Sequence, residues 1–179
     1  MTMETDDSEK VIFEKIYLEI RTEDYKKSTI NTTLGNPEIE QLKSPTYEQY
    51  RSWHDKVGEP YGWHERPRIN NREAIESLLA NPKVQMFILK DGLSEIGYAL
   101  IEKDAPAQVE ISDFGFPPNK VSHGSGSVYF PMLLEQIFSE DIERVWLSTR
   151  STNDPRVVSF YEKFGLKVYK RENIQEFKA

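Results

Sequence analysis

Residues 108–138 read QVEISDFGFPPNKVSHGSGSVYFPMLLEQIF, three kinds of segment in succession. A β-rich run over 108–116 ends at Pro117-Pro118, where two residues without an N–H cannot extend a central ladder and turn the chain out of a sheet. A polar loop with Gly124 and Gly126 follows, then an apolar helix-like segment through Phe138. Strand, glycine loop and helix in this order form a general anion site. The unpaired N–H groups and the dipole at the helix start converge on negative charge, and glycine admits close approach. The nucleotide versions of the unit do not fit. The dinucleotide fingerprint needs a third glycine or alanine where Tyr129 stands, and the triphosphate loop needs a Gly-Lys-Ser/Thr that is missing. No serine sits at the centre of a hydrolase elbow, and Ser122 beside His123 is too local to form a triad by itself. A flexible turn is the plain alternative.

Upstream, 84–90 and 96–102 are β-rich runs joined through Asp91-Gly92, a dipeptide that supplies the positive φ of a tight hairpin. Alternating apolar residues over 11–20 predict a first strand with a bulge, since Val11 and Phe13 are out of phase with Ile16, Leu18 and Ile20. Residues 28–46 hold Asn36-Pro37 and Ser44-Pro45 among polar residues and read as a long loop bordering a site. Tyr47, Tyr50, Trp53 and Val57 recur at helical spacing as core positions, with Gly58 as a left-handed cap. Asn70 with Glu73 predicts the capped start of a second helix carrying Ile75, Leu78 and Leu79 and ending before Asn81-Pro82. Downstream, 144–149 reads as a strand, 155–164 as a helix with Pro155 in its first turn, and 166–170 as a last strand after Gly165. The order is mixed α and β, without internal repeats.

With 179 residues, 37% hydrophobic and 12% aromatic, the chain has the material for one folded core and is short for two. We expect an acidic, polar N-terminal tail over 1–10 and a single domain over 11–179. The absence of cysteine excludes disulfides, thiolate metal sites and an acyl-cysteine intermediate. His54, His64 and His123 lack zinc-type spacing, so no metal is expected. A net charge of −7 without a clustered Lys/Arg surface argues against a nucleic acid partner. It suits a cationic acceptor, although an acidic surface also serves solubility alone. No segment reads as a secretory signal or a membrane span, so a cytoplasmic protein with no membrane partner is the expectation.

The order of these segments resembles the GNAT superfamily of acyl-CoA-dependent N-acyltransferases, whose coenzyme loop reads Gln/Arg-x-x-Gly-x-Gly/Ala between a strand and a helix. Val121, Ser122, His123, Gly124, Ser125 and Gly126 align with it, Val121 standing where Gln or Arg is usual. Pro131 in the following helix is a second departure and is expected to kink it. The stretches 144–149 (RVWLST), Asn153-Asp154-Pro155 and 160–166 (FYEKFGL) are similar to the family's later strand, coenzyme-contacting asparagine and C-terminal helix. Residues 17–20 (YLEI), Tyr50-Arg51, Val57-Gly58 and 63–66 (WHER) resemble one bacterial-type branch, so the similarity spans nearly the whole chain.

The resemblance implies an α+β fold, with a mixed, mostly antiparallel central sheet of six to seven strands and helices on both faces. It implies acetyl-CoA as cosubstrate, a small-molecule or peptide amine as acceptor, and direct transfer in a ternary complex. Main-chain amides from Ser122 to Ser127 (Ser122, His123, Gly124, Ser125, Gly126, Ser127), with that of Val121 and with Asn153, would hold the coenzyme. The backbone of Phe114, Gly115 and Phe116 would pair with the pantetheine arm. Tyr161 aligns with the tyrosine that protonates the leaving sulfur in many relatives; its plain alternative is a core position. Glu110, with Ser112 and Phe114 on one strand face, stands where some relatives carry a general base. Asp113 on the other face is its rival, and an exposed strand residue is the alternative for either. Trp63, His64 and Arg66 fall in the segment that walls the acceptor pocket in the superfamily, though core and loop roles also fit. A catalytically silent acyl-CoA-binding module and an interaction protein using the same fold remain the competing classes, and a homodimer stays open.

Overall fold

The Asp91-Gly92 reversal forms as its sequence demands. Gly92 adopts φ 60° and joins β3 (Val84–Asp91) to β4 (Ser94–Ala105). The structure is a computed structural model and describes residues 10–29, 35–63, 67–120 and 124–177. Antiparallel to β4 runs β5 (Gln108–Gly115), and parallel to β5 runs β6 (Arg144–Arg150). The remaining strands are β1 (Lys10–Arg21), β2 (Pro37–Leu42) and β7 (Lys167–Phe177). Together they form one seven-stranded sheet in the order β2-β3-β4-β5-β6-β1-β7, with β5–β6 its parallel pair. β1 therefore sits between two strands from the far end of the chain.

Two helices cover each face. On one, α1 (Tyr47–Gly58) and α2 (Arg72–Ala80) place Tyr50, Trp53, Val57, Ile75 and Leu79 on Met86, Ile88, Tyr98 and Leu100. On the other, α3 (Ser125–Phe138) and α4 (Val157–Glu162) pack Phe130, Leu133, Leu134, Ile137 and Tyr161 on Leu18, Ile101, Val109, Val145 and Leu147. Successive strand residues point to opposite faces, so β3 is buried on both and reads as the continuous run Met86–Leu89. The α+β architecture with helices on both faces is as expected.

Several local expectations are corrected. The loop read over 28–46 contains β2, an edge strand paired with β3, whose acidic Glu38 and Glu40 hide its strand pattern. Gly58 is the last residue of α1 with right-handed φ −88°, and the left-handed turn comes later, at Gly62. Gly58 is needed for space instead, because a Cβ there would lie 2.3 Å from Trp63 Cβ. The cap of α2 is Asn71 rather than Asn70, its side chain accepting from the amide of Ala74 at 3.0 Å. Pro155 precedes α4, which begins after Arg156, and β7 runs on to Phe177. The bulge expected in β1 between Phe13 and Ile16 is not there: pairing with β7 keeps one register from Lys10 to Tyr17, and the slip falls between Tyr17 and Leu18, where Tyr169 of β7 is the extra residue. α3 continues through Pro131, whose missing N–H leaves the Ser127 carbonyl without its helical donor.

Gly58→Val should destabilise the protein by about 1–3 kcal/mol, the cost of forcing a branched side chain into packed space. Gly92→Ala, whose new Cβ meets nothing within 4 Å, should cost only about 1 kcal/mol of backbone strain. Urea unfolding curves of the two variants check this order.

Candidate functional site

β5 and β6 pair over a short distance and then part. Their last partners among the described residues are Ile111 and Leu147, although the strands run on to Gly115 and Arg150. A row of main-chain groups on each strand is thus left facing a gap inside the sheet. The gap opens into a cleft of about 1190 Å³, beyond the roughly 300–1,000 Å³ of a single small-ligand pocket.

The glycine loop borders this cleft. Gly124 takes φ 105° ahead of α3, and a side chain there would meet nothing within 4 Å, so the main chain is open to an approaching group. Gly126 lets the start of α3 come against α4, since a Cβ would lie 3.0 Å from the Phe160 ring. Gly124, Gly126 and Ser127 line the cleft, and so do Glu110, Phe114, Gly115, Phe116, Asn153 and Tyr161. An anionic chain fits this lining: a helix start at one end and unpaired strand edges along the middle. Val121, Ser122, His123, His64 and Arg66 lie outside the described residues.

Tyr161 is 8% exposed, its ring centroid 4.9 Å from that of Phe130 and 5.2 Å from that of Phe160. Burial pushes its phenol above the ordinary value, so it keeps its proton at neutral pH. Asn153 donates to Thr149 Oγ1 at 2.9 Å and accepts from Trp63 Nε1 at 3.4 Å. The asparagine read as a coenzyme contact and the tryptophan read as an acceptor wall therefore touch, and both line the cleft.

The strand face of the two carboxylates is a correction. Between β4 and β5 the register slips, Leu100 pairing with Asp113 but Ile101 with Ile111, so Ser112 is the extra residue of a bulge. Strict alternation would set Asp113 apart from Glu110 and put Phe114 with Glu110. The bulge reverses this. Asp113 shares the α1 side with Leu100, and Glu110, the partner of Glu102 two residues along β4, lies on the same side. Phe114 turns to the opposite side, its ring centroid 5.3 Å from that of Phe130.

Sequence reasoning missed the polar groups of α1. Tyr50 and His54, 1% and 2% exposed, line the cleft, and their rings lie 5.7 Å apart. The available signal was a histidine one turn beyond Tyr50, on a stripe otherwise apolar. Lys15 of β1 and Arg150 of β6 also line the cleft; Arg150 donates to both carboxylate oxygens of Glu176, at 3.0 and 3.2 Å.

A sheet split between two parallel strands, with a glycine loop opening a helix at the split, is the α+β arrangement that the resemblance to the GNAT superfamily implies. The family described as "Acetyltransferase (GNAT) family" matches residues 38–166, and the chain belongs to that family. No curated protein sequence matches the chain significantly. Among solved structures, a functionally unknown conserved protein from Staphylococcus epidermidis superposes with a TM-score of 0.68 at 15% identity, over 96% of this chain and 64% of that one. A GCN5-related N-acetyltransferase from Sphaerobacter thermophilus gives 0.62 at 14%, over 92% and 50%. This chain thus spans less than two thirds of either. The ribosomal-protein-S18-alanine N-acetyltransferase from Escherichia coli gives 0.59 at 14%, over 75% and 79%. At such identities these likenesses concern the fold.

Tyr17 and Tyr129 are also raised, to about 12, in both cases chiefly by burial. Between about 10, the ordinary value, and these raised values the folded chain binds more protons than the unfolded one, so stability must fall as pH rises through that window. In an alkaline titration the phenolates of Tyr17, Tyr129 and Tyr161 should appear together with loss of the folded circular dichroism. Phenolate from Tyr161 in folded protein near pH 10 would contradict the assignment.

Proposed function

We propose that the chain is an N-acetyltransferase that moves an acetyl group from acetyl-CoA to a primary amine of a small-molecule or peptide acceptor, both bound together in the cleft. The observation that carries this reading is the convergence of three features on one opening: the bared edges of β5 and β6, the glycine-led start of α3, and the buried hydroxyl-bearing ring of Tyr161. Membership of the acetyltransferase family supports it.

When bound, acetyl-CoA supplies an activated acyl group as a thioester. The amides of the glycine loop, Gly124 to Ser127 in the described part, hold the diphosphate. The open edge of Phe114, Gly115 and Phe116 aligns the pantetheine as an added strand and offers an amide to polarise the thioester carbonyl. Glu110, directly or through water, takes a proton from the acceptor ammonium. The freed amine nitrogen bonds to the carbonyl carbon, the carbon–sulfur bond breaks, and Tyr161 gives its proton to the departing thiolate. Asn153 and Trp63, already hydrogen-bonded, close the mouth between coenzyme and acceptor sides. Holding the two reactants together turns an encounter into a local step.

Calorimetric titration with acetyl-CoA should show binding, and thiol release with a panel of primary amines should show turnover. Tyr161→Phe should lower turnover at least about tenfold while leaving acetyl-CoA affinity within about twofold. Unchanged turnover removes the proton-donor role. Binding without turnover on any amine makes the chain an acyl-CoA-binding module, and no binding makes it an interaction protein.

A further inference from the structure

The direction of each main-chain group on β6 follows from its register. In an antiparallel pair alternate residues bond to the partner strand, and the residues between them point away from it. Against β1, the Glu143 carbonyl accepts from the Thr22 amide at 3.0 Å and the Ser151 amide donates to the Glu14 carbonyl at 2.9 Å, so Val145, Leu147 and Thr149 are the β6 residues that bond β1. The main-chain groups of Arg144, Trp146, Ser148 and Arg150 therefore point towards β5, and the Arg144 amide does donate to the Ala107 carbonyl there, at 3.2 Å. Along the parallel ladder the last pairing, Ile111 with Leu147, occupies the Trp146 carbonyl and the Ser148 amide. Next in the row come the Ser148 carbonyl and the Arg150 amide, and among the described residues β5 does not pair with them. The Arg150 carbonyl, by contrast, accepts from the Asn153 amide at 2.9 Å. Ser148, Thr149 and Arg150 all line the cleft.

An acceptor and a donor on either side of Thr149 are what one residue of a parallel strand satisfies: its N–H donates to the carbonyl and its C=O accepts from the amide. A simple alkylamine has no carbonyl to offer. The edge is stiff before anything binds, because β1 holds its far side and Asn153 Nδ2 donates to Thr149 Oγ1 at 2.9 Å, which lowers the cost of docking an extended chain. Pairing of Ile111 with Leu147 closes the inner end of the gap, so an added chain stops there and presents an end, and Glu110 stands beside that closure. We propose that the acceptor is a peptide, added as a short strand parallel to β6 in register with Thr149, its N-terminal amine towards Glu110. The inference rests on the acetyl-transfer reading of the cleft and deepens it, from primary amines in general to peptide N-termini.

The test is amide hydrogen exchange by NMR on the whole chain: alone, with coenzyme A, and with coenzyme A plus saturating Ala-Ala-Ala-amide or n-butylamine. Without peptide the Arg150 amide should exchange at least about tenfold faster than that of Thr149; the peptide should slow it at least about tenfold and butylamine should leave it unchanged. In thiol release from acetyl-CoA, replacing the peptide's amide links by esters one at a time should lower kcat/KM about three- to tenfold at one position, the loss of one main-chain hydrogen bond. An Arg150 amide that the peptide does not slow overturns the assignment, as does equal kcat/KM for peptide and butylamine. Protection by coenzyme A alone gives the edge to the pantetheine and overturns it too. Failure of the transferase reading shows separately, as absence of acetyl-CoA binding, and the exchange measurement needs no turnover.

Discussion

The structure turns on the point at which β5 and β6 stop pairing. Two parallel strands in the middle of a sheet ordinarily satisfy each other's main chain along their full overlap. Here they do so only from Gln108–Arg144 to Ile111–Leu147. Beyond that point each strand is held from its outer side alone, β5 by β4 and β6 by β1. The parting is tolerable because the cores on either side are independent of it: the α1–α2 layer grips β3 and β4, and the α3–α4 layer grips β1, β5 and β6. The two layers fix the width of the opening, and Trp63, Glu110, Phe114, Gly124, Gly126, Asn153 and Tyr161 border it.

Close contacts at the ends of the split keep it in shape. Gly115 brings β5 against Val57, whose Cγ1 would lie 2.6 Å from an added Cβ, and Gly97 admits the Gly115 carbonyl at 2.5 Å from the same kind of atom. At the other end, Gly126 admits the ring of Phe160. Substituting any of them would displace backbone, a packed ring or the buried Val57 side chain, so the opening is built by the absence of side chains as much as by their presence. On the α1 side a buried aromatic cluster of Tyr50, Trp53 and Tyr98 supports Asp113, with Tyr50 and Tyr98 edge to face at 6.3 Å.

Much of this was legible in the sequence where local chemistry decides. The Asp91-Gly92 hairpin, the exit at Pro117-Pro118, the apolar stripes of α1 and α2 and the glycine start of α3 follow from turn chemistry and periodicity. What escaped was set by partners distant in sequence. β2 alternates acidic and apolar residues as an edge strand does, and only its pairing with β3 distinguishes it from a loop. β7 is longer than its apolar part because Tyr17 and Glu172, and Arg150 and Glu176, satisfy its polar residues across the sheet. The bulge at Ser112 leaves no trace in composition, yet it reverses the side on which Asp113 lies. In the candidate site, Tyr161, Asn153, Glu110 and Trp63 were named from the sequence and do border one cleft, whereas Tyr50 read as core because it is core and lining at once, and His54 was weighed only as a metal ligand.

The position of β1 bears on how the chain is made. Tyr17 finds Glu172, 155 residues further on, and both neighbours of β1 belong to the C-terminal part of the chain. During synthesis this strand leaves the ribosome long before either partner exists, with two bare edges and an apolar side of Ile16, Leu18 and Ile20. The sheet can grow from β2 to β5 in the order of translation, but β1 must wait and then insert between β6 and β7. Such late, long-range closure places a slow step at the end of folding and exposes a sticky segment throughout it, so shielding by chaperones would matter most for these first residues.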